Sequence, residues 1–140
     1  MTDTPKNGHA IILVDDDKFL LDMYGMKFTQ AGYRVQACLS VKAALDALRG
    51  GFPADVVAFD LIMPDMDGFA LLQAIRDEKL ASNAKLIALT NQSDDAEKDR
   101  ARELGAHRYI IKASQKERRN LLGKILAHCT AFQTRLVEGE

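Results

Sequence analysis

Apolar residues along this chain gather in two kinds of pattern. Five short runs, AIILV from Ala10, RVQAC from Arg34, VVAF from Val56, LIALT from Leu86 and YII from Tyr109, are rich in Val, Ile, Leu and Ala. Runs of this length and make-up predict strands, mostly buried on both faces as in a parallel sheet. Between them the spacing becomes helical. Leu20, Met23, Tyr24, Phe28 and Ala31 fall on one stripe, and Val41, Ala44, Leu45 and Leu48 on a second. Leu122, Ile125, Leu126 and Cys129 repeat that spacing near the carboxyl end. Ser40 and Asp94 stand where helix N-caps belong, Asp94 with Glu97 three residues on in a capping-box arrangement; Gly32, Gly50 and Gly105 stand where C-caps belong.

Strand and helix thus alternate five times. That alternation predicts an α/β fold, a doubly wound five-stranded parallel sheet with right-handed crossovers and helices on both faces; if its order is 2-1-3-4-5, the order that the resemblance described below implies, the first and third strands flank the switch point. The 140 residues make one domain with a sizeable core. We expect it to span residues 9–132, between a flexible amino terminus (1–8) and a tail (133–140).

Charge adds little at the global scale. Nineteen basic and 20 acidic residues leave a formal charge of −1, which favours neither nucleic acid nor an anionic membrane, so charge-based function has to be local. No apolar run approaches the ~20 residues needed to span a bilayer. Cys38 and Cys129 lie in apolar periodic segments and MTDTPKNGH has no signal-peptide character, which predicts a reduced, cytoplasmic protein. His9, His107 and His128 are scattered and no CxxC is present, so nothing resembles a zinc site.

The polar residues at the strand ends do change the picture. In an open parallel sheet, ligands bind beyond the carboxyl ends of the strands, where strand order reverses. Here the first run ends in Asp15, Asp16 and Asp17, the third in Asp60, the fourth in Thr90 and the fifth in Lys112. Clustered carboxylates repel one another unless a cation sits among them, and hard oxygen ligands suit Mg²⁺. A carboxylate is also a competent nucleophile toward phosphorus, while an ammonium and a hydroxyl can hold the phosphoryl oxygens. Asp60 is therefore placed as an acceptor for phosphoryl transfer.

The motifs VDDD, FDLIMPDMDG, ALT and YIIK, in this order, resemble the receiver domain of bacterial two-component response regulators, from about Ile11 to Cys129. The resemblance implies a flavodoxin-like receiver fold. It implies that Asp60 is phosphorylated by a histidine kinase or phosphotransfer protein, and that Asp15, Asp16, Asp60 and the Ile62 backbone carbonyl hold Mg²⁺. Lys112 would pair with the phosphoryl group, Thr90 would hydrogen-bond it, and Tyr109 would reorient on activation. Asp17 falls outside the acidic pair and reads as an N-cap. The partner or dimer face would be the fourth helix, fifth strand and fifth helix, with no direct nucleic-acid contact and no membrane insertion. Such a domain is a phosphoacceptor in signalling, not an enzyme beyond slow self-dephosphorylation. Ala113 replaces the proline common after the lysine, so a trans bond is expected there, a cis one costing ~3 kcal/mol. Asn91 follows Thr90 where a small residue is usual.

Two other readings compete. Asp15-Asp16-Asp17 also fits the start of haloacid-dehalogenase phosphatases, although Phe19 stands where those enzymes have threonine or valine. A degenerate receiver used only for protein binding is the second.

Overall fold

The computed structural model describes residues 9–63, 66–90 and 94–111. Within them the chain runs β1 (Ala10–Val14), α1 (Lys18–Gln30), β2 (Arg34–Cys38), α2 (Val41–Arg49), β3 (Val56–Asp60), α3 (Gly68–Asp77), β4 (Lys85–Thr90), α4 (Asp95–Glu103) and β5 (Arg108–Ile111). The strands form one parallel sheet in the order β2-β1-β3-β4-β5. Strand order reverses between β1 and β3, which opens a crevice at their carboxyl ends. The stripe from Leu122 to Cys129, together with Lys112 and Ala113, Asn91, and Pro64 and Asp65 of the acidic loop, lies outside the described residues.

Alternate strand residues feed two cores. Ile12, Val14, Val57, Phe59, Leu86 and Ala88 pack with α2, α3 and α4, whereas Ile11, Leu13, Val56, Ala58, Ile87 and Leu89 pack with α1. A strand buried on both faces has no polar alternation to show, which is why β1, β3 and most of β4 read as continuous apolar runs. β2 and β5 depart from the expected two-sided burial. Only Cys38 of β2 and Ile110 of β5 are fully buried. These are the outer strands among the described residues, with a neighbour on one side each.

The helix caps follow their chemistry. Asp17 accepts the amides of Phe19 and Leu20, Ser40 that of Ala43, Asp67 that of Ala70 and Asp94 that of Glu97. At the end of α1 the Gly32 amide donates to the Thr29 carbonyl and the Tyr33 amide to that of Phe28, a Schellman closure made possible by φ of 95° at Gly32. The hydrophobic contact that accompanies this motif is present: the Phe28 and Tyr33 rings meet edge-on at 5.3 Å. The same closure ends α2, but its left-handed residue is Gly51, Gly50 itself being the cap. α3 ends likewise on Lys79, with φ of 55° and no glycine. On α1 the buried positions are Leu21, Tyr24 and Phe28, with Leu20 and Met23 partly covered. Four of the five expected positions thus face the core, Leu21 joins them, and Ala31 leaves the stripe because it caps the helix.

An acidic pocket at the carboxyl edge of the sheet

β1 delivers Asp15 at its end, where the Asp15 amide donates to the Cys38 carbonyl at 3.1 Å and fixes the chain against β2. The side chain is held as well, since Asp15 Oδ1 accepts the Asp17 amide at 2.9 Å. This small turn sends Asp16 outward and leaves Asp17 to cap α1. Val14 is in register with Phe59, so one further step sets Asp15 beside Asp60, the last residue of β3. Asp60 Oδ1 accepts the Ile62 amide at 3.3 Å as the chain turns into the loop.

Two of these acids are almost wholly buried, Asp15 at 4 % and Asp60 at 5 % exposure, and Thr90 is at 1 %. Buried carboxylates are expensive to keep ionised without a compensating cation. One oxygen from each of Asp15, Asp16 and Asp60 lies within 4.8 Å of the others. Three hard oxygen donors so close, one still open to solvent, fit Mg²⁺ with several positions left for water and a phosphoryl oxygen.

The next strand adds the hydroxyl. Asp60 pairs with Leu89, so Thr90 stands one rung further toward the same edge; Thr90 pairs in turn with Ile111, the residue before Lys112. The Tyr109 hydroxyl is hydrogen-bonded with the Thr90 side chain and with the Asp94 backbone. Burial pushes its pKa above the usual tyrosine value, the Thr90 bond opposes this, and the Glu97 charge adds to it. Asp15, Asp16, Asp60 and Thr90 are therefore brought to one end of the sheet as the strand-end pattern requires, and Tyr109, two residues before the end of β5, joins them through its bond to Thr90.

The sequence reading missed Gly68. A methyl group there would sit 2.7 Å from the Asp60 carbonyl oxygen and 2.9 Å from Leu61 Cα, so the first turn of α3 lies directly on the end of β3. The Gly68 amide donates to the Leu61 carbonyl at 2.9 Å and draws this approach tight. Asp67 is the N-cap of that helix. Asp-Gly before an apolar stretch is a helix-start signal, but the closeness of two backbones is not written in it.

A buried carboxylate with two further acids beside the switch point of a 2-1-3-4-5 sheet, and a buried hydroxyl at the end of the next strand, define an acidic pocket on a fold of the flavodoxin-like class. The response regulator receiver domain model matches residues 11–124, and the chain belongs to that family, the receiver domains of two-component response regulators. It is 33 % identical over 135 residues to the transcriptional regulatory protein GltR of Pseudomonas aeruginosa, covering 95 % of this chain and 54 % of that one. The chain spans about half the length of the first curated relatives it matches. Among solved structures, a CheY-like receiver domain protein from Methanospirillum hungatei is 26 % identical, with a TM-score of 0.75 over 91 % of this chain and 98 % of that one. The non-phosphorylated HemR receiver domain of Leptospira biflexa is 28 % identical, with a TM-score of 0.70, over 83 % of this chain and 91 % of that one. Receiver domains bind Mg²⁺ at an acidic cluster, and they are signalling domains that are phosphorylated by histidine kinases and act on downstream partners. The family match does not favour the phosphatase reading. No helix among the described residues is long and apolar enough to cross a membrane.

Proposed function

We propose that Asp60 accepts a phosphoryl group from the phosphohistidine of a kinase or phosphotransfer protein. An Asp60 carboxylate oxygen attacks phosphorus, the P–N bond breaks and the leaving imidazole regains a proton, giving an aspartyl phosphate. Asp15, Asp16, Asp60 and the Ile62 carbonyl would hold Mg²⁺, which when bound neutralises charge between the acids and the phosphoryl oxygens. Thr90 hydrogen-bonds one of those oxygens from the neighbouring strand end. Lys112, directly after the residue that pairs with Thr90, supplies a balancing ammonium. The observation that carries this reading is the meeting of three carboxylates from two strand ends, two of them buried, beside a buried threonine.

The signal leaves by the Thr90–Tyr109 contact. A phosphoryl group that engages the Thr90 hydroxyl competes with Tyr109 for it, and α4 with β5 forms the surface that changes, toward a downstream protein or a second copy of the chain. The domain, residues 9–132 between its two end segments, works in the cytoplasm, neither as an enzyme in its own right nor as a nucleic-acid binder; the free, buried Cys38 suits a reducing compartment. The test is incubation with acetyl phosphate and Mg²⁺ followed by peptide mapping. One acid-labile phosphoryl group on Asp60 is expected, and a label that persists in Asp60→Ala would refute the assignment.

A further inference from the structure

α4 and the start of β5 enclose a cleft of about 250 Å³. Its charged lining is basic: Lys98 and Arg102 of α4, four residues apart and so on one helix face, and Arg108 of β5. No carboxylate is among its described lining residues, although α4 also carries Asp95, Glu97, Asp99 and Glu103. Asp99 approaches Arg102 only to 4.0 Å, and both side chains are well exposed, so this pair neutralises little. Arg108 Nη1 donates to the His107 carbonyl at 2.9 Å, which restrains the guanidinium near the cleft. His107 lines the same cleft, and its backbone neighbour fixes which ring nitrogen carries the proton. Because Nδ1 accepts the Leu86 amide at 2.9 Å, the hydrogen of the neutral ring is on Nε2. Burial, with the charges of Lys85 and Arg108, favours that neutral form. The nitrogen left to the cleft is therefore a donor.

Three cations and an imidazole N–H, supplied by a helix, a connection and a strand, call for an anion that accepts from several directions at once. A phosphate monoester does so, with three terminal oxygens and a charge of roughly −1.5 to −2 at neutral pH, and a guanidinium fork matches two of those oxygens. A carboxylate brings a single charge and two oxygens in one plane. Volume narrows the class further. A water takes ~30 Å³ of liquid, so the cleft exceeds a bare phosphate, yet it falls below the ~300–1,000 Å³ usual for larger ligands. The space that remains suits a short organic group against Ala101, Ala106 and Tyr109, its less polar surface. We infer that the cleft is a binding site for a small soluble phosphate monoester, held through its phosphate by Lys98, Arg102, Arg108 and the Nε2–H of His107. The ester stays intact there, with no bond made or broken. This site goes beyond the phosphoacceptor reading and needs nothing from Asp60.

The experiment titrates the full chain at neutral pH and constant ionic strength with propyl phosphate and, for comparison, with butyrate, which has the same alkyl chain. Mg²⁺ is left out, so that the carboxylates around Asp60 repel either anion. Backbone amide and imidazole nitrogen resonances are followed by NMR. Propyl phosphate is expected to saturate and to bind about tenfold or more tightly than butyrate, with shifts from Lys98 to Tyr109 and at His107 Nε2. Lys98→Ala/Arg102→Ala should weaken that binding about tenfold or more while the thermal melt and Asp60 labelling by acetyl phosphate stay unchanged. Lys98→Arg/Arg102→Lys, which keeps the charge, should retain it. Absence of saturable binding, equal binding of butyrate, unchanged affinity in the double alanine variant, or shifts at Asp15, Asp16 and Asp60 in place of the cleft would each overturn the inference. Binding to vesicles of phosphatidylcholine and phosphatidic acid without binding to the soluble ester would overturn it as well.

Discussion

The smallest residue near the pocket carries the tightest constraint. Gly68 has no side chain to contribute, yet a single methyl group there collides with the backbone of the strand that ends in Asp60. The three nearest atoms include two of the main chain, so relief requires moving α3 or β3, not turning a rotamer. Overpacking of this kind costs roughly 1–3 kcal/mol. Gly68→Ala is expected to lose that much in urea denaturation and, by displacing the end of β3, to slow Asp60 labelling as well; an unchanged midpoint with full labelling would mean the two backbones have room to part. Asp16 is the opposite case, an exposed acid that the fold does not need. Asp16→Ala should leave the metal-free melting temperature the same or higher, because like charges are thinned. The rise in melting temperature on adding Mg²⁺ should disappear, and a rise that persists would remove Asp16 from the ligand set.

At the scale of elements, the connection after α3 and the pairing of β4 with β5 each hold a local conflict. Lys79 takes the left-handed turn that glycine takes after α1, α2 and α4. A side chain in that region costs ~1–2 kcal/mol, part of which is returned because glycine has more freedom in the unfolded chain. Lys79→Gly should therefore raise stability by roughly 0.5–1 kcal/mol, read as a higher denaturation midpoint. Where β5 begins, the His107 amide donates to the Leu86 carbonyl at 2.8 Å and His107 Nδ1 accepts the Leu86 amide at 2.9 Å. The ring thus stands in for a strand carbonyl, which requires Nδ1 to be unprotonated. Burial, then the charges of Lys85 and Arg108, lower its pKa below the ordinary value near 6.5, and Lys98 and Arg102 line the same cleft. With the folded pKa depressed, the unfolded chain binds the proton first, so this contribution is complete above about pH 6.5 and falls away as pH drops toward the folded value. His107→Asn, whose amide oxygen can replace Nδ1, should flatten that part of the stability–pH curve relative to the parent protein; parallel curves would show that the ring does not titrate there.

Across the whole molecule, the acid pocket and the basic cleft lie on either side of one contact. Thr90 closes β4 next to Asp60, Tyr109 sits in β5, and their side chains meet. Further ties hold α4 to α3: the Arg100 guanidinium lies 4.2 Å from the centre of the Phe69 ring, and Arg76 Nη1 donates to the Glu103 carbonyl at 3.2 Å. Phe69 follows Gly68, so α4 is anchored to the same turn that rests on the end of β3. Two sets of contacts thus lead from the end of β3 to α4, one through the Thr90 and Tyr109 hydroxyls and one through the Phe69 ring and the Arg100 guanidinium.

Read alone, the sequence determined the alternation of strand and helix, the caps at Asp17, Ser40 and Asp94, and which strands end in Asp15, Asp60 and Thr90. Those features depend on period and on neighbours within a few residues, which a linear pattern carries. It predicted buried strands too freely, because β2 and β5 share the composition of the inner strands and differ only in where the sheet stops. It left Leu21 out of the α1 stripe, since Leu20 and Leu21 are equally apolar and only packing against the sheet chooses between them. Tertiary structure alone decided that Gly68 must be small, that Lys79 turns without glycine, that His107 completes the pairing of β4 with β5, and that Lys98, Arg102 and Arg108 share a cleft. Each of these rests on distances between segments remote along the chain, set by strand register and helix packing, which no local pattern records.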